Sequence, residues 1–365
     1  MYMTKTVTRD SLPEVFRIIL MGMIVFWHLI LHGVPSYSTK PLLLILVTLA
    51  HVAVPCFVII SGWFGIKPNV KGFMRLISMV VGYSLLGWMF RLAFGAEVFS
   101  FNGLGRALFP LLFDRWWFIG VYLALYLTAP ILNTFTRHSD IRSMWIAIAT
   151  LYFVSFWLGC QSLFTQRLPL FWMLYLLGHV LHNPQRQKTL IERHPLVSYL
   201  CCAICTFIGT RVCIASGQVI GGYGLLFFKY NSPFVIMSSI CLSLLFLGDK
   251  SKQHAKWRSP IVNYVAAAVF PCYLIHEHNF FTHDFYTWFG ELNNRGGGGT
   301  IAILGILLSM VIFIACTCLD VMMRPIYSRA AESLSKLFSR YWTQADKVFF
   351  ALGGAGFVCS LLWVF

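Results

Sequence analysis

The chain has 365 residues, of which 58% are hydrophobic and only 11% charged, with a mean hydropathy of +0.73. That balance excludes an ordinary soluble globular protein and points to a membrane domain. The net charge of +15 raises nucleic acid as a partner; the absence of a basic-aromatic patch on a folded module argues against it.

Apolar stretches long enough to cross a bilayer recur from end to end. The predicted spans are 14–33, 41–65, 73–94, 115–135, 143–163, 168–182, 196–215, 224–247, 260–282 and 300–323. They define an all-α polytopic membrane protein with ten core transmembrane helices. The first span is longer than a signal-peptide core and lacks a clear small-residue cleavage site, so it reads as a retained helix. The N-terminus and alternate connections hold most of the cations, among them Lys5, Arg9, Lys67, Lys71, Arg75, Arg137, Arg142, Arg186, Lys188, Lys250, Lys252, Arg324 and Arg329. The opposite connections hold fewer, including Lys40, Arg91, Arg106, Arg115, Arg167, Arg211 and Arg295. This positive-inside pattern places the N-terminus in the cytoplasm.

Connections between the spans are mostly short. Residues 95–114 mix Phe99, Phe101, Leu104 and Leu108 with Gly and Asn, as an interfacial or re-entrant segment does. Gly296 to Gly299 form a flexible loop rather than a phosphate cradle, since no strand precedes them and no lysine follows. Beyond the tenth span, residues 324–347 alternate basic and apolar positions and suit the inner membrane surface. Residues 348–365 are just long enough for an eleventh span. The domain reading is therefore 10–325 for the transmembrane domain and 326–365 for an amphipathic and apolar extension. The cysteines lie almost wholly in apolar spans, as small packing residues do.

Against this apolar background the ionisable residues stand out. In the first span Arg17 and His28 are eleven residues apart, which on an α-helix returns His28 to within about 20° of Arg17, roughly 16 Å along the axis. His32 follows one turn later on a neighbouring part of the stripe, and Glu14 is placed for an i,i+3 ion pair with Arg17. Singly, Arg17 reads as a snorkelling anchor and His28 as an interhelical hydrogen-bonding residue. Together on one face of a membrane helix they mark a site. The second span ends in Ser61-Gly62, for which packing and ligand roles stay open. Trp116-Trp117 opens the fourth span and reads first as an aromatic belt. The ninth carries Tyr273-Leu274-Ile275-His276-Glu277-His278. Three consecutive residues cannot all face one side of a helix, so no metal centre is expected there. A proton-relaying imidazole cluster fits better. Lys229 and Asn231 are further polar groups for the same cavity.

These motifs, in this order, resemble the acyltransferase-3 family of integral-membrane O-acyltransferases over residues 10–325. The matching features are Glu14, Arg17 and His28; the Phe57 to Ser61-Gly62 run; the aromatic run from Trp116 with Tyr122 and Pro130; and Tyr273-Leu274-Ile275-His276. The basic pair that follows the Ser-Gly helix in that family appears as Lys71 and Arg75, with a lysine in place of one arginine. The resemblance implies a bacterial cytoplasmic-membrane enzyme with no bound cofactor. Its co-substrate would be acyl-CoA, acetyl-CoA foremost, and its acceptor a hydroxyl of a cell-surface or lipid-linked carbohydrate. Membrane lipid would surround it. In this reading Lys71, Arg75 and Arg17 hold the nucleotide end of the donor, and His28 is the base or the transient acyl carrier, a choice left open. His32 and His276 face the acceptor, and Ser61, Trp117 and Tyr273 line the path. A transporter or flippase of lipid-linked glycan is the competing class; the sequence has neither an inverted repeat nor paired broken helices to support it.

Overall fold

A computed structural model describes residues 10–113, 116–157, 163–183, 189, 192–217, 226–248, 257–278, 284–295 and 297–341. The proposed eleventh span at 348–365 lies outside them. Among the described residues the secondary structure is helical throughout, with no strand. The chain is an all-α, multi-pass membrane protein. Among the described residues seven helical spans, one of them two helices end to end at Pro41–Phe64, are long and apolar enough to cross a membrane.

The helices are α1 (Leu12–Gly33), α2 (Pro41–Ala50), α3 (Ala53–Phe64), α4 (Val70–Ala93), α5 (Phe101–Leu108), α6 (Trp117–His138) and α7 (Ile141–Phe156). They continue with α8 (Leu163–His182), α9 (Pro195–Ala215), α10 (Pro233–Leu247), α11 (Pro260–Ala266), α12 (Val269–His276), α13 (Asp284–Arg295) and α14 (Gly298–Tyr341). Among the described residues each of the ten predicted spans contains at least one of these helices. Three predicted spans fall on shorter or less apolar helices: α7 has 16 residues, α8 carries Arg167, His179 and His182, and the ninth span is split into α11 and α12.

Helix α1 is the hub. It packs against α2, α3, α10, α11, α12, α13 and α14, and Phe16, Leu20, Val25, Leu29 and Ile30 are fully buried in it. A helix enclosed on most sides by others can carry ionisable residues only where a cavity or partners receive them, which fixes where Arg17 and His28 must point.

Helices α3 and α8 meet backbone to backbone. A Cβ at Gly62 would collide with the Tyr175 carbonyl, and one at Gly178 with the Ile59 carbonyl. Gly62 is thus a packing residue, as small residues are in membrane interfaces. The connection from α3 to α4 is held by polar bonds. Tyr175 donates its hydroxyl proton to Asn133 Oδ1 at 2.6 Å and accepts from the Ile66 N–H at 2.9 Å. Asn133 Nδ2 donates to the Ile66 carbonyl at 2.8 Å. Asn69 caps α4 by accepting from the Gly72 N–H at 2.8 Å.

Two expectations change. The tenth span does not end near residue 323: α14 runs for 44 residues, about 66 Å and roughly twice the apolar core of a bilayer. Side chains bridge its internal Pro325. Tyr327 donates to Asp320 Oδ1 at 3.0 Å, and Arg324 binds Asp320 Oδ2 through Nε at 2.9 Å and through Nη2 at 2.5 Å. Gly298 and Gly299, read as loop, form the first turn of this helix. The segment after α4 holds the short helix α5, flanked by exposed Phe99 and Phe101 and packed on α4, as an interfacial segment requires.

Candidate functional site

A cavity of about 260 Å³ runs along α1 between Arg17 and His28. Its wall is built by α1 (Met21, Ile24), α3 (Phe57, Ser61), α6 (Trp117, Phe118, Tyr122), Tyr230, the break between α11 and α12 (Ala266, Ala267), and α12 (Phe270, Tyr273). The break in the ninth span admits this space: α11 ends at Ala266 and α12 begins at Val269, leaving small side chains at the bend. The lining is mostly aromatic and apolar with a few polar groups, the composition of a small-molecule site.

Arg17 marks one end. Its Nη1 donates to both Glu14 oxygens, at 3.0 and 3.2 Å, and its side chain stays 29% exposed. Ser61 lines the same end and donates its hydroxyl proton to the Phe57 carbonyl at 2.9 Å.

His28 marks the other end, where the chain assembles a polar cluster. His28 Nδ1 lies 2.9 Å from His276 Nε2 and 2.9 Å from Glu277 Oε1. His32 Nε2 lies 3.5 Å from the same Glu277 oxygen. His276 Nδ1 is 2.6 Å from the Cys272 carbonyl. A carbonyl only accepts, so His276 Nδ1 carries the proton and Nε2 presents a lone pair. That lone pair accepts the proton of His28 Nδ1, and the Glu277 carboxylate, 2.9 Å away, stands as an ion-pair partner for a charged ring. Neutral His28 is then basic at Nε2, the arrangement a general base needs. Hydrogen-bond partners assign this tautomer.

On the far side of the cluster His32 is stacked on Tyr286 of α13, ring centroids 5.0 Å apart. Tyr286 donates to the His276 carbonyl at 3.3 Å. Helix α13 is fastened there by close approach of Gly290 to the Gly33 backbone and by Lys40 Nζ to Asn293 Oδ1 at 2.5 Å. The His32 side chain is 37% exposed and that of Glu277 19%. His28 therefore stands between a cavity on one side and a partly open histidine–carboxylate cluster on the other.

Ligand atoms of His28, His276 and Glu277 all lie within 4.8 Å of one another, the reach of a small cation. The 2.9 Å separations are hydrogen-bond lengths; ligands at zinc distances on a tetrahedron stand about 3.3 Å apart. At these separations the groups can pass a proton between them. The three groups of the His-Glu-His run do not gather at one point: His276 and Glu277 join the cluster, while His278 lies against Trp116, ring centroids 5.9 Å apart. Helix α12 ends at His276, and Glu277 caps it at φ −92°, ψ 8°, which turns the carboxylate back toward α1.

Of the residues expected at the site, Arg17, His28, Ser61, Trp117 and Tyr273 line the cavity, and His32 and His276 lie in the adjoining cluster. Glu14 reaches it only through Arg17. Lys71 and Arg75 do not line it; they are exposed on the first turns of α4. Lys229 and Asn231 do not line it either. Asn231 Nδ2 instead donates to the Ser155 carbonyl at 2.7 Å and anchors the segment that carries Tyr230. Sequence reasoning missed Glu277, Tyr230 and Arg167. Arg167 read as a connecting-loop charge, yet its guanidinium lies 4.1 Å above the centre of the Trp117 ring.

The family model of the Acyl_transf_3 acyltransferase domain matches residues 12–319. The chain belongs to this acyltransferase family, and the protein is an acyltransferase moving groups other than aminoacyl groups. Neither a curated protein nor a solved structure matches the chain.

Proposed function

We propose that this acyltransferase takes an acyl group, acetyl in the first instance, from acyl-CoA in the cytoplasm. It passes the group to a hydroxyl of a cell-surface or lipid-linked carbohydrate on the other face of a bacterial cytoplasmic membrane. One observation carries the reading: His28 ends a narrow cavity that begins at Arg17, and it touches a cluster open to the opposite side. A donor confined to one compartment and an acceptor confined to the other need such a meeting point. The excess of cations near the N-terminus and around Lys67, Lys71 and Arg75 supports a cytoplasmic N-terminus, with the Arg17 end inside.

In this mechanism the donor's anionic end rests among Lys71, Arg75 and Arg17, and its flexible arm enters the cavity with the thioester leading. The acceptor hydroxyl approaches past His32 and Glu277. His28 Nε2 removes the hydroxyl proton as the oxygen attacks the thioester carbon. Glu277 and His276 hold the ring and stabilise the imidazolium that forms. The carbon–sulfur bond then breaks, and the thiolate takes the proton from His28 as it leaves. The relay favours His28 as base over His28 as acyl carrier, because both Nδ1 contacts stabilise a protonated ring.

The test is direct. Membranes containing the protein are incubated with acetyl-CoA labelled in the acetyl group, and glycan is extracted. Label in ester linkage to glycan is expected; unlabelled glycan with intact acetyl-CoA would contradict the reading.

A further inference from the structure

Tyr286, on α13, is buried at 2% exposure and reaches the polar cluster at two points. Its hydroxyl donates to the His276 carbonyl at 3.3 Å. That carbonyl is one of the last in α12, where a helix leaves its own acceptors without a donor. It also belongs to the peptide unit that joins His276 to Glu277. Turning that unit would carry the Glu277 carboxylate away from His28 Nδ1, where it stands at 2.9 Å.

The second point is the ring. It lies over His32, with centroids 5.0 Å apart and planes 24° apart. His32 Nε2 in turn faces the Glu277 oxygen that meets His28, at 3.5 Å. One side chain therefore holds the Glu277 backbone through its hydroxyl and a neighbour of the Glu277 carboxylate through its ring. Tyr286 is itself fixed against the last turn of α1. A Cβ on Gly33 would stand 3.1 Å from the Tyr286 carbonyl and 2.6 Å from the ring of Phe289, which is fully buried. Packing alone would be served by a phenylalanine; the hydroxyl is what reaches the His276–Glu277 peptide. A side chain locked by packing and by a hydrogen bond is the support that a precise site needs.

We infer that Tyr286 is a positioning residue for acyl transfer, keeping Glu277 and His32 in register with His28. The inference rests on the acyl-transfer reading above. Tyr286 acts through these two neighbours and not on the substrates. Its hydroxyl sets where the Glu277 carboxylate meets the His28 ring, and so how well the imidazolium formed during proton transfer is stabilised. Its ring sets the orientation of His32 on the acceptor side. The two effects are separable, because the first passes through Glu277 and the second through His32.

The experiment uses the full chain in lipid nanodiscs, with labelled acetyl-CoA and extracted glycan. Tyr286→Phe keeps the ring and should lower kcat about three- to tenfold, the scale of one neutral hydrogen bond. The donor KM should stay unchanged and the melting temperature should move by no more than a few degrees. In a Glu277→Gln background the same substitution should cost less than about twofold, since residues that act as a unit are not additive. Tyr286→Leu also removes the ring and should lower kcat a further three- to tenfold or so, the scale of one aromatic pair. That extra loss should vanish in a His32→Ala background. Wild-type kcat in Tyr286→Phe would overturn the inference, and so would an undiminished loss in the Glu277→Gln background. A fall in kcat that comes with a raised donor KM and a collapsed melting temperature would mark a purely structural role and overturn it equally. If Tyr286→Leu does not fold, the isosteric Tyr286→Phe carries the test alone. Wild-type protein that transfers no label defeats the acyl-transfer reading itself, whatever the variants do.

Discussion

His28 Nδ1 stands 2.9 Å from His276 Nε2, two ring nitrogens separated by 248 positions in the chain. The Cys272 carbonyl fixes the proton on the far side of His276, so the pair can share only the proton of His28. In the proposed mechanism the first helix supplies the base, and the ninth span sets which nitrogen of that base is free. Such an arrangement predicts strong coupling between the residues around His28.

Glu277→Gln and His276→Phe should each lower kcat on the order of 10²-fold. The double variant should fall little further, since both act through His28 and residues acting as a unit are not additive. A double-mutant cycle on steady-state kcat checks this. Simple multiplication of the two losses would mean that the groups act independently.

Lys71 and Arg75 lie outside the cavity, so the proposed mechanism limits them to the donor's charged end. Arg75→Glu should raise the KM for acyl-CoA about tenfold, equivalent to about 1.4 kcal/mol, with kcat unaltered. Donor titration at saturating acceptor reads the split. An unchanged KM would remove Arg75 from donor binding.

Ser61 and Gly62 are neighbours with different jobs. Gly62→Ala places a methyl group against the Tyr175 carbonyl and should destabilise the α3–α8 interface by about 1–3 kcal/mol. Ser61→Ala loses only a hydroxyl bonded within its own helix and should leave the melting temperature unchanged. Thermal melting in detergent compares them directly.

Asp320 is fully buried and accepts from Tyr83 at 2.8 Å, from Tyr327 and from Arg324. Removing it leaves Arg324, whose side chain is only 16% exposed, without its carboxylate. Asp320→Ala should destabilise the protein by about 3–5 kcal/mol and separate the two halves of α14 at Pro325. Loss of the monodisperse peak at lowered temperature is the expected sign.

The sequence made the architecture legible because a bilayer imposes it: each apolar run had to become a helix, and the described parts of the ten core spans are mainly helical. It also showed the α1 stripe, since 3.6-residue periodicity places Arg17, His28 and His32 without tertiary information. What stayed hidden depended on where helices stop. Glu277 enters the site only because α12 ends at His276, and the cavity exists only because the ninth span breaks at Ala267–Ala268. Neither break is marked by a glycine, and Pro271 lies between the two, inside α12. Arg167 was hidden for another reason. A cation near a helix end reads as a surface charge until its aromatic partner, 50 positions away in sequence, is seen beneath it. The run-on of α14 past residue 323 was masked by Arg324 and Pro325, whose disruption Asp320 compensates through space.

The central claim is that His28 is the base at which donor and acceptor meet. The most direct measurement is transfer of labelled acetyl from acetyl-CoA to glycan by purified His28→Ala protein, matched to wild type in elution profile and melting temperature. The account predicts that the folded variant binds acyl-CoA as wild type does and transfers no label above background. Label transfer at the wild-type rate would contradict it.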